Sequence, residues 1–360
     1  LVIRVPSADL TSLVGQCFAR AGMASGDAER VASVLVDANL RGHDSHGIVR
    51  VPGYLRRFAA GATAGAETIG VPQGEGPLQR LDAGAALGPL VGLRGSELAA
   101  ELAADHGIGL VAVGNSSHFG AAGFFARRLA ERDLIGVVAT NGPANMAPHG
   151  SSSPFLGTNA MAVGLPLGDR EQFVLDMSSS AVARGKIIRK RELGEPLEAG
   201  LALDADGNPT EDAAAALAGA VLPFAGPKGS GLALAISLAI GMLAGASFDD
   251  EAGRSQGDDP TPQDIGHIFL AIDPWRLADR EQVESRIAAL VERLHSLRPA
   301  QGFDRVLYAG ERGELERIER LANGVPLAPR ELDELAQACD QLGYDELADR
   351  ARSLLASAAE

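Results

Sequence analysis

Cysteine is nearly absent: the 360 residues contain two, Cys17 and Cys339. They lie far apart, each in an apolar helical pattern, so the expectation is two buried thiols in a reducing compartment rather than a disulfide framework. A chain of this length buries enough surface to fold without a covalent or metal staple. Positive charge is also scarce. Lys and Arg number 32 against 47 Asp and Glu, a formal net charge of −15, which argues against binding to nucleic acid or to an anionic membrane. Long hydrophobic runs are lacking too. The best candidate, Gly231–Ala246, falls short of the roughly 20 residues that span a bilayer and reads as a buried core helix. No basic segment followed by an apolar stretch opens the sequence, so no signal peptide is expected. There is no internal repeat and no low-complexity linker. These absences leave a cytoplasmic globular protein of one large domain or a few smaller ones.

What is present alternates between helix and strand. Ser7 is expected to cap a first helix, in which Leu10, Leu13, Val14, Cys17 and Phe18 recur at helical spacing. Ser25 opens a second, with Asp27 and Glu29 in its first turn, a face of Ala28, Val31, Val34, Leu35 and Ala38, and Gly42 to end it. Further on, the pattern predicts helices over Gly95–Asp105, Ala121–Arg132, Lys228–Ala246 and Arg280–Arg298. Strand-like runs are expected at Gly109–Val113, Leu134–Thr140, Ala160–Leu165, Phe173–Asp176 and His267–Ile272. Gly194–Thr210 reads as an exposed excursion, and the tail Glu314–Ala358 as mostly helical and charged. The class is α/β.

The dinucleotide fingerprint of a Rossmann fold, strand then G-x-G-x-x-G then helix, does not occur. Gly226-Pro-Lys-Gly-Ser-Gly231 opens a helix and offers backbone amides with Lys228, which suits an anion but is equally an ordinary glycine-rich helix start. The segment His43-Asp-Ser-His-Gly47 is richer. His43, Asp44 and His46 invite a metal reading, yet nothing nearby completes a ligand set. An acid–base reading asks for less: one histidine to serve an oxygen that becomes a hydroxyl, and a cation for a carboxylate. Arg50 follows His46 by four residues and falls on its side of a helical turn. The same residues could equally form a polar loop with a surface arginine. Asn115-Ser-Ser-His118-Phe-Gly120 follows an apolar run, where ligands are often held. Gly157-Thr158-Asn159 and Asp176-Met177-Ser178-Ser-Ser180 place further polar groups near strand ends.

Six stretches, in order, resemble the malate/L-lactate dehydrogenase family that lacks a Rossmann fold: ANLRGHDSHGIVRVPGY (38–54), NSSHFGAAGFFA (115–126), LGTNAMAVGLP (156–166), LDMSSSAVARGKI (175–187), LPFAGPKGSGLALAI (222–236) and GHIFLAIDP (266–274). The resemblance implies an NAD- or NADP-dependent oxidoreductase acting on a small 2-oxo or 2-hydroxy acid, working as a homodimer. It implies a mainly antiparallel cofactor domain at 121–246, a mixed α/β substrate region at 61–120 with 247–294, and a helical domain joining 1–60 to 295–360. His46 would be the proton donor with Ser45 hydrogen-bonded to it, and Arg50 would hold the carboxylate. Tyr54, His118 and Thr158 would contact substrate, His118 being a rival for the acid–base role. Asp176, Met177, Ser178, Lys228, Gly310, Glu311 and Arg312 would line the cofactor, and no metal is implied.

Three departures matter, the first two for the substrate and the third for the cofactor contacts at Gly310–Arg312. In the cyclic-imine (piperideine-2-carboxylate) reductases of the family an aspartate stands where this chain has Lys186, and lysine cannot accept a hydrogen bond as a carboxylate does. Asn141–His149 lacks the family's tryptophan, and Ala309 stands where proline is common. Cyclic-imine reductase and ureidoglycolate-type dehydrogenase are the alternatives within the family. A metal-dependent lyase using His43, Asp44 and His46, or a non-catalytic relative, are the alternatives outside its chemistry.

Overall fold

The computed structural model describes residues 2–253 and 261–357. The N-terminal region runs β1 (Ile3–Val5), α1 (Ser7–Arg20) and α2 (Ser25–Leu40). Two 3-10 turns at Asp44–His46 and Ile48–Arg50 then lead into α3 (Val51–Ala59). Every apolar residue expected on the inner faces of α1 and α2 is buried. Ser7 is the first helical residue rather than the cap: Pro6, in an extended conformation, takes that place, as its fixed φ and missing N–H allow.

The middle of the chain supplies β2 (Gln73–Glu75), β3 (Leu78–Asp82), α4 (Gly88–His106), β4 (Ile108–Ser116), α5 (Ala122–Ala130), β5 (Ile135–Thr140), β6 (Ala160–Leu165) and β7 (Phe173–Met177). It continues through α6 (Arg184–Leu193), β8 (Ala202–Leu203), α7 (Ala213–Ala218), β9 (Ala220–Val221) and α8 (Pro227–Ala244) to β10 (Ile265–Ile272) and α9 (Arg280–His295). Seven strands form one sheet in the order β2-β3-β4-β10-β5-β6-β7. Only β3 and β4 pair in parallel; the other neighbours are antiparallel. This is the mixed, mostly antiparallel sheet expected. Strand β10 lies between β4 and β5, so the strands of the two expected α/β regions belong to one sheet.

The last elements, α10 (Glu311–Asn323), β11 (Val325–Leu327), α11 (Pro329–Gln341) and α12 (Asp345–Ser357), return to the start of the chain. Strand β11 pairs with β1, Ile3 opposite Leu327, and both ends of the sequence contribute to one apolar core with Val51, Tyr54 and Leu55 of α3. Ala358, where the helical tail was expected to end, lies outside the described residues.

Three expectations change. Helix α4 begins at Gly88, well before Gly95, because Pro89 is tolerated in a first turn and Ser117 Oγ accepts from the Gly88 N–H at 2.8 Å. The 194–210 excursion is only partly exposed: Leu197, Ala202 and Leu203 are buried, and β8 pairs with β9. Helix α8 is not a buried core helix. It covers the sheet with one face, through Ala233, Ile236, Ile240 and Ala244, while Leu234, Leu238 and Met242 stand exposed on the other. Its 18 residues pass the length and hydropathy test for a membrane span, with 33% of them buried. Apolar composition fixed its helicity but not what covers it.

Candidate active site

The site is assembled where the loop between α2 and α3 meets the loop after β4. Asn39, at the end of α2, accepts from the Ile48 N–H through Oδ1 (2.7 Å) and donates through Nδ2 to Asp44 (2.9 Å). A Cβ on Gly47 would fall 2.0 Å from that Asn39 oxygen, so only glycine lets the loop close here. Asp44 also receives Arg320 of α10 at 2.6 Å. Its carboxylate is therefore spent on holding the loop, which removes the oxygen ligand from the metal reading. Among the described residues no group of three or more His, Cys, Asp or Glu side chains is placed to hold a metal.

With the loop fixed, Ser45, His46 and Arg50 converge. Ser45 Oγ lies 2.9 Å from His46 Nδ1, and Arg50 Nε donates to the Ser45 carbonyl at 2.7 Å. No acid among the described residues pairs with Arg50, whose terminal nitrogens are unclaimed. The His46 ring stacks at 5.6 Å on that of His118 from the second loop. The Tyr54 hydroxyl meets His118 Nδ1 at 2.5 Å, and the Gly120 N–H also donates to that nitrogen (3.3 Å). Four residues expected to act together thus share one cluster, with Tyr54 as a fifth.

The electrostatics follow from burial beside an uncompensated cation. Burial, then the charge of Arg50 and then His43, lower the His46 pKa to about 3. His118 is lowered well below the ordinary range by the same burial, Arg50 and the neighbouring imidazoles. Burial raises the Tyr54 phenol, against the pull of Arg50. Both histidines are neutral at working pH, and the phenol keeps its proton, so Tyr54 donates and His118 carries its own proton on Nε2.

Behind this cluster stands a residue the sequence did not single out. His267, fully buried on β10, bonds Thr140 Oγ1 (2.8 Å) and Ser116 Oγ (2.9 Å) and stacks face to face on Phe119 at 4.3 Å. Gln263 was also missed: its Oε1 accepts from the His118 N–H (3.1 Å), while its buried Nε2 has no partner. No local pattern in the sequence marks either one.

The residues expected around the cofactor divide into two sets. A cavity of about 250 Å³ is lined by His43, Gly123 and Asp176 on one side and by Gly310 and Arg312 on the other. Asp176 Oδ2 accepts from the Gly123 N–H (2.8 Å), and burial raises its carboxyl pKa against the opposing effect of His43. Two other arginines at the cavity are neutralised, Arg41 by Asp37, Glu171 and Glu314, Arg127 by Asp37 and Glu131. Arg312 has no acid partner among the described residues. Glu311 accepts from the Tyr308 N–H and pairs with His295. Met177 ends β7, Ser178 Oγ bonds Ser180 Oγ, and Lys228 is exposed in the first turn of α8. None of these four lines the cavity.

Thr158 sits in a turn held from behind by Asp249. That buried carboxylate accepts from Gly157 N–H (2.8 Å), Asn159 Nδ2 (2.7 Å) and Ser237 Oγ (2.8 Å), and burial raises its pKa. On the opposite side, the start of α6 presses on the histidine loop. A Cβ on Gly185 would fall 2.5 Å from that of Ser45.

Residues 5–336 match the malate/L-lactate dehydrogenase family. The L-sulfolactate dehydrogenase of Methanocaldococcus jannaschii is 35% identical over 327 residues, covering 90% of this chain and 93% of that one. The (2R)-3-sulfolactate dehydrogenase (NADP(+)) of Chromohalobacter salexigens is 36% identical over 295 residues, 78% of this chain and 87% of that one. The Delta(1)-pyrroline-2-carboxylate/Delta(1)-piperideine-2-carboxylate reductase of Pseudomonas putida is 32% identical over 337 residues, 93% and 97%. The solved sulfolactate dehydrogenase of M. jannaschii superposes with a TM-score of 0.87 at 32% identity, over 96% of this chain and 99% of that one. The class is thereby defined: an oxidoreductase enzyme, of the dehydrogenase and reductase kind, on a sheet that is not of the Rossmann type. Within that class the chain belongs to the malate/L-lactate dehydrogenase family.

Proposed function

We propose that the protein interconverts a small 2-oxo acid and its 2-hydroxy acid with NAD(H) or NADP(H). The observation that carries this reading is the Arg50 guanidinium, free of any acid among the described residues and flanked by two neutral imidazoles. Such a pocket attracts an anion, and a guanidinium grips a carboxylate through two parallel hydrogen bonds. The names of the relatives, sulfolactate and malate dehydrogenases and cyclic-imine carboxylate reductases, all denote carboxylates.

The residues present fit a nicotinamide. Asp176 leaves Oδ1 free for a carboxamide, and Arg312 offers a charge for a phosphate across the same cavity, with Met177, Ser178 and Glu311 adjoining. When bound, the nicotinamide supplies or accepts the hydride. Arg50 orients the substrate by its carboxylate while the Ser45 carbonyl holds the guanidinium in place. In the oxidising direction neutral His46 takes the hydroxyl proton, its Nδ1 held by Ser45. In the reducing direction His46 must first be loaded. A carboxylate docked on Arg50 offsets the charge that lowers the His46 pKa, so the substrate itself favours the protonated donor. His118, its Nδ1 occupied by Tyr54, positions the substrate through Nε2, and Gln263 Nε2 and Thr158 supply further contacts. The exposed Leu234, Leu238 and Met242 of α8 lie at a spacing of four residues, one stripe along the helix. A second copy of the chain covers it in a homodimer, and the two free thiols agree with a cytoplasmic setting.

The test is oxidation of NADH and NADPH against pyruvate, oxaloacetate, sulfopyruvate and a cyclic imine carboxylate, repeated with His46→Ala. Turnover on a 2-oxo acid should fall by about 10²–10⁴-fold in the variant with cofactor still bound. Unchanged turnover would remove His46 from the role. Cofactor binding without turnover across the panel would point to a non-catalytic relative, and turnover confined to the imine to the reductase reading.

A further inference from the structure

The two cysteines, 322 residues apart, meet. Cys17 Sγ of α1 and Cys339 Sγ of α11 lie 3.7 Å from each other, both buried without exposure in the core shared by the chain ends. Nothing in the site or in the cavity beside it uses either thiol. We propose that Cys17 and Cys339 are a site of oxidative modification, joining as a disulfide when the protein meets a hydroperoxide.

The geometry needs little change. A disulfide holds its sulfurs at about 2.05 Å, so the pair must close by less than a sulfur diameter, a distance within reach of side-chain rotation. The two sulfurs already share a hydrogen bond. Either thiol can donate it, and the other sulfur, once ionised, accepts. Either can therefore attack first, and the chemistry is the same written from Cys339. Its thiolate attacks one peroxide oxygen, the O–O bond breaks, and the departing hydroxide takes up a proton to leave as water. Sulfur is oxidised to the sulfenic acid as that oxygen is reduced. Cys17 then loses its proton and attacks the Cys339 sulfur; the S–O bond breaks and a second water leaves. Two thiols and one hydroperoxide thus give one disulfide and two molecules of water, or water and an alcohol from an alkyl hydroperoxide.

Access lies beneath helix α12. Helix α12 packs on both partners: Arg350 reaches Gln16, next to Cys17, at 2.6 Å, and Arg352 pairs with Asp340, next to Cys339. Helix α12 also buries Ala348 and Ala351 in the same core, so a hydroperoxide reaches the sulfurs when this helix opens locally from α1 and α11. The bond, once formed, closes a loop of nearly the whole chain, the case in which a cross-link most restricts the unfolded state.

The experiment treats the native protein with hydrogen peroxide, blocks remaining thiols in denaturant and digests with trypsin. The expected product is the peptide Val5–Arg20 joined to Glu331–Arg350, lost on reduction and absent from Cys17→Ser. Oxidised wild type should also unfold about 5 °C or more above the reduced protein, reverting with dithiothreitol. This comparison needs no variant and so does not depend on Cys17→Ser folding. Thiols that both remain alkylatable, or a sulfinic acid on either cysteine without cross-link, would overturn the proposal.

Discussion

The Tyr54 hydroxyl donates to Nδ1 of His118 across 2.5 Å, joining α3 to the loop after β4. That bond fixes which nitrogen of His118 carries the proton. It also places the ring against His46, so the two candidate acid–base groups are held by a residue that titrates in neither role.

Tyr54→Phe removes the bond and leaves the ring of residue 54 in its apolar surroundings. We expect kcat/KM for the 2-oxo acid to fall about 10-fold or more, with His118 redistributing between its tautomers. Steady-state kinetics with ¹⁵N NMR of the imidazoles checks both. An unchanged tautomer would show that Gly120 alone sets it.

Carboxylate binding should draw in protons. Arg50 is the second-largest cause of the low His46 pKa, after burial, and an anion docked there opposes it. Calorimetry of a non-reactive analogue such as oxamate, in buffers of different ionisation enthalpy, should report net proton uptake that rises as pH falls from about 7 to about 5. Arg50→Lys should weaken binding and blunt the uptake, since an ammonium cannot form the paired bonds. Binding with no proton uptake in wild type would separate Arg50 from the loading of His46.

Stability should decline in mild acid. His46 and His267 are each held at about 3, against an ordinary value of 6.5. The unfolded chain takes up protons below about 6.5 that the folded chain refuses. The stabilisation is therefore complete above that pH and is lost as pH falls toward 3, at up to about 1.4 kcal/mol per pH unit for each group. His267→Gln removes one such group. Its urea midpoint should depend less on pH between about 6 and 4 than that of wild type; equal slopes would mean His267 escapes protonation by another route.

Gly185→Ala would drive a methyl group into Ser45. The start of α6 or the histidine loop must give way, and kcat/KM should drop about 10-fold or more while the circular dichroism spectrum is retained. Gly26→Ala in α2, which meets no atom within 4 Å, serves as the control and should leave activity unchanged. Equal activity in both variants would show that α6 is free to retreat.

Local pattern carried a good deal of this. The inner faces of α1 and α2 and five strands of the sheet, β4, β5, β6, β7 and β10, follow from the apolar pattern, because the core they bury against is continuous. Strands β2 and β3, short and mostly exposed, were not expected. The loops carrying His46 and His118 were legible as polar segments at element ends. Their joint function was not, since the stacking of the two rings and the bond from Tyr54 depend on the closure of distant segments. His267, Gln263 and Asp249 were missed for the same reason: each is an ordinary residue until its partners arrive. His43, left without a part by the sequence, lies at the cavity with Asp176. The errors have a physical cause as well. Hydropathy counts the apolar residues of α8, while exposure depends on which of its faces the sheet covers.

The pairing of β1 with β11 has a consequence for the order in which the protein is made. Helices α1 and α2 leave the ribosome well before α11 and α12, which complete their apolar faces. Arg320, which anchors the histidine loop through Asp44, also comes late. The nascent N-terminal region must therefore wait for most of the chain with its core side uncovered. Contacts of such long sequence separation form slowly, which makes translation itself the period of greatest exposure to aggregation and gives a chaperone its clearest opportunity to act.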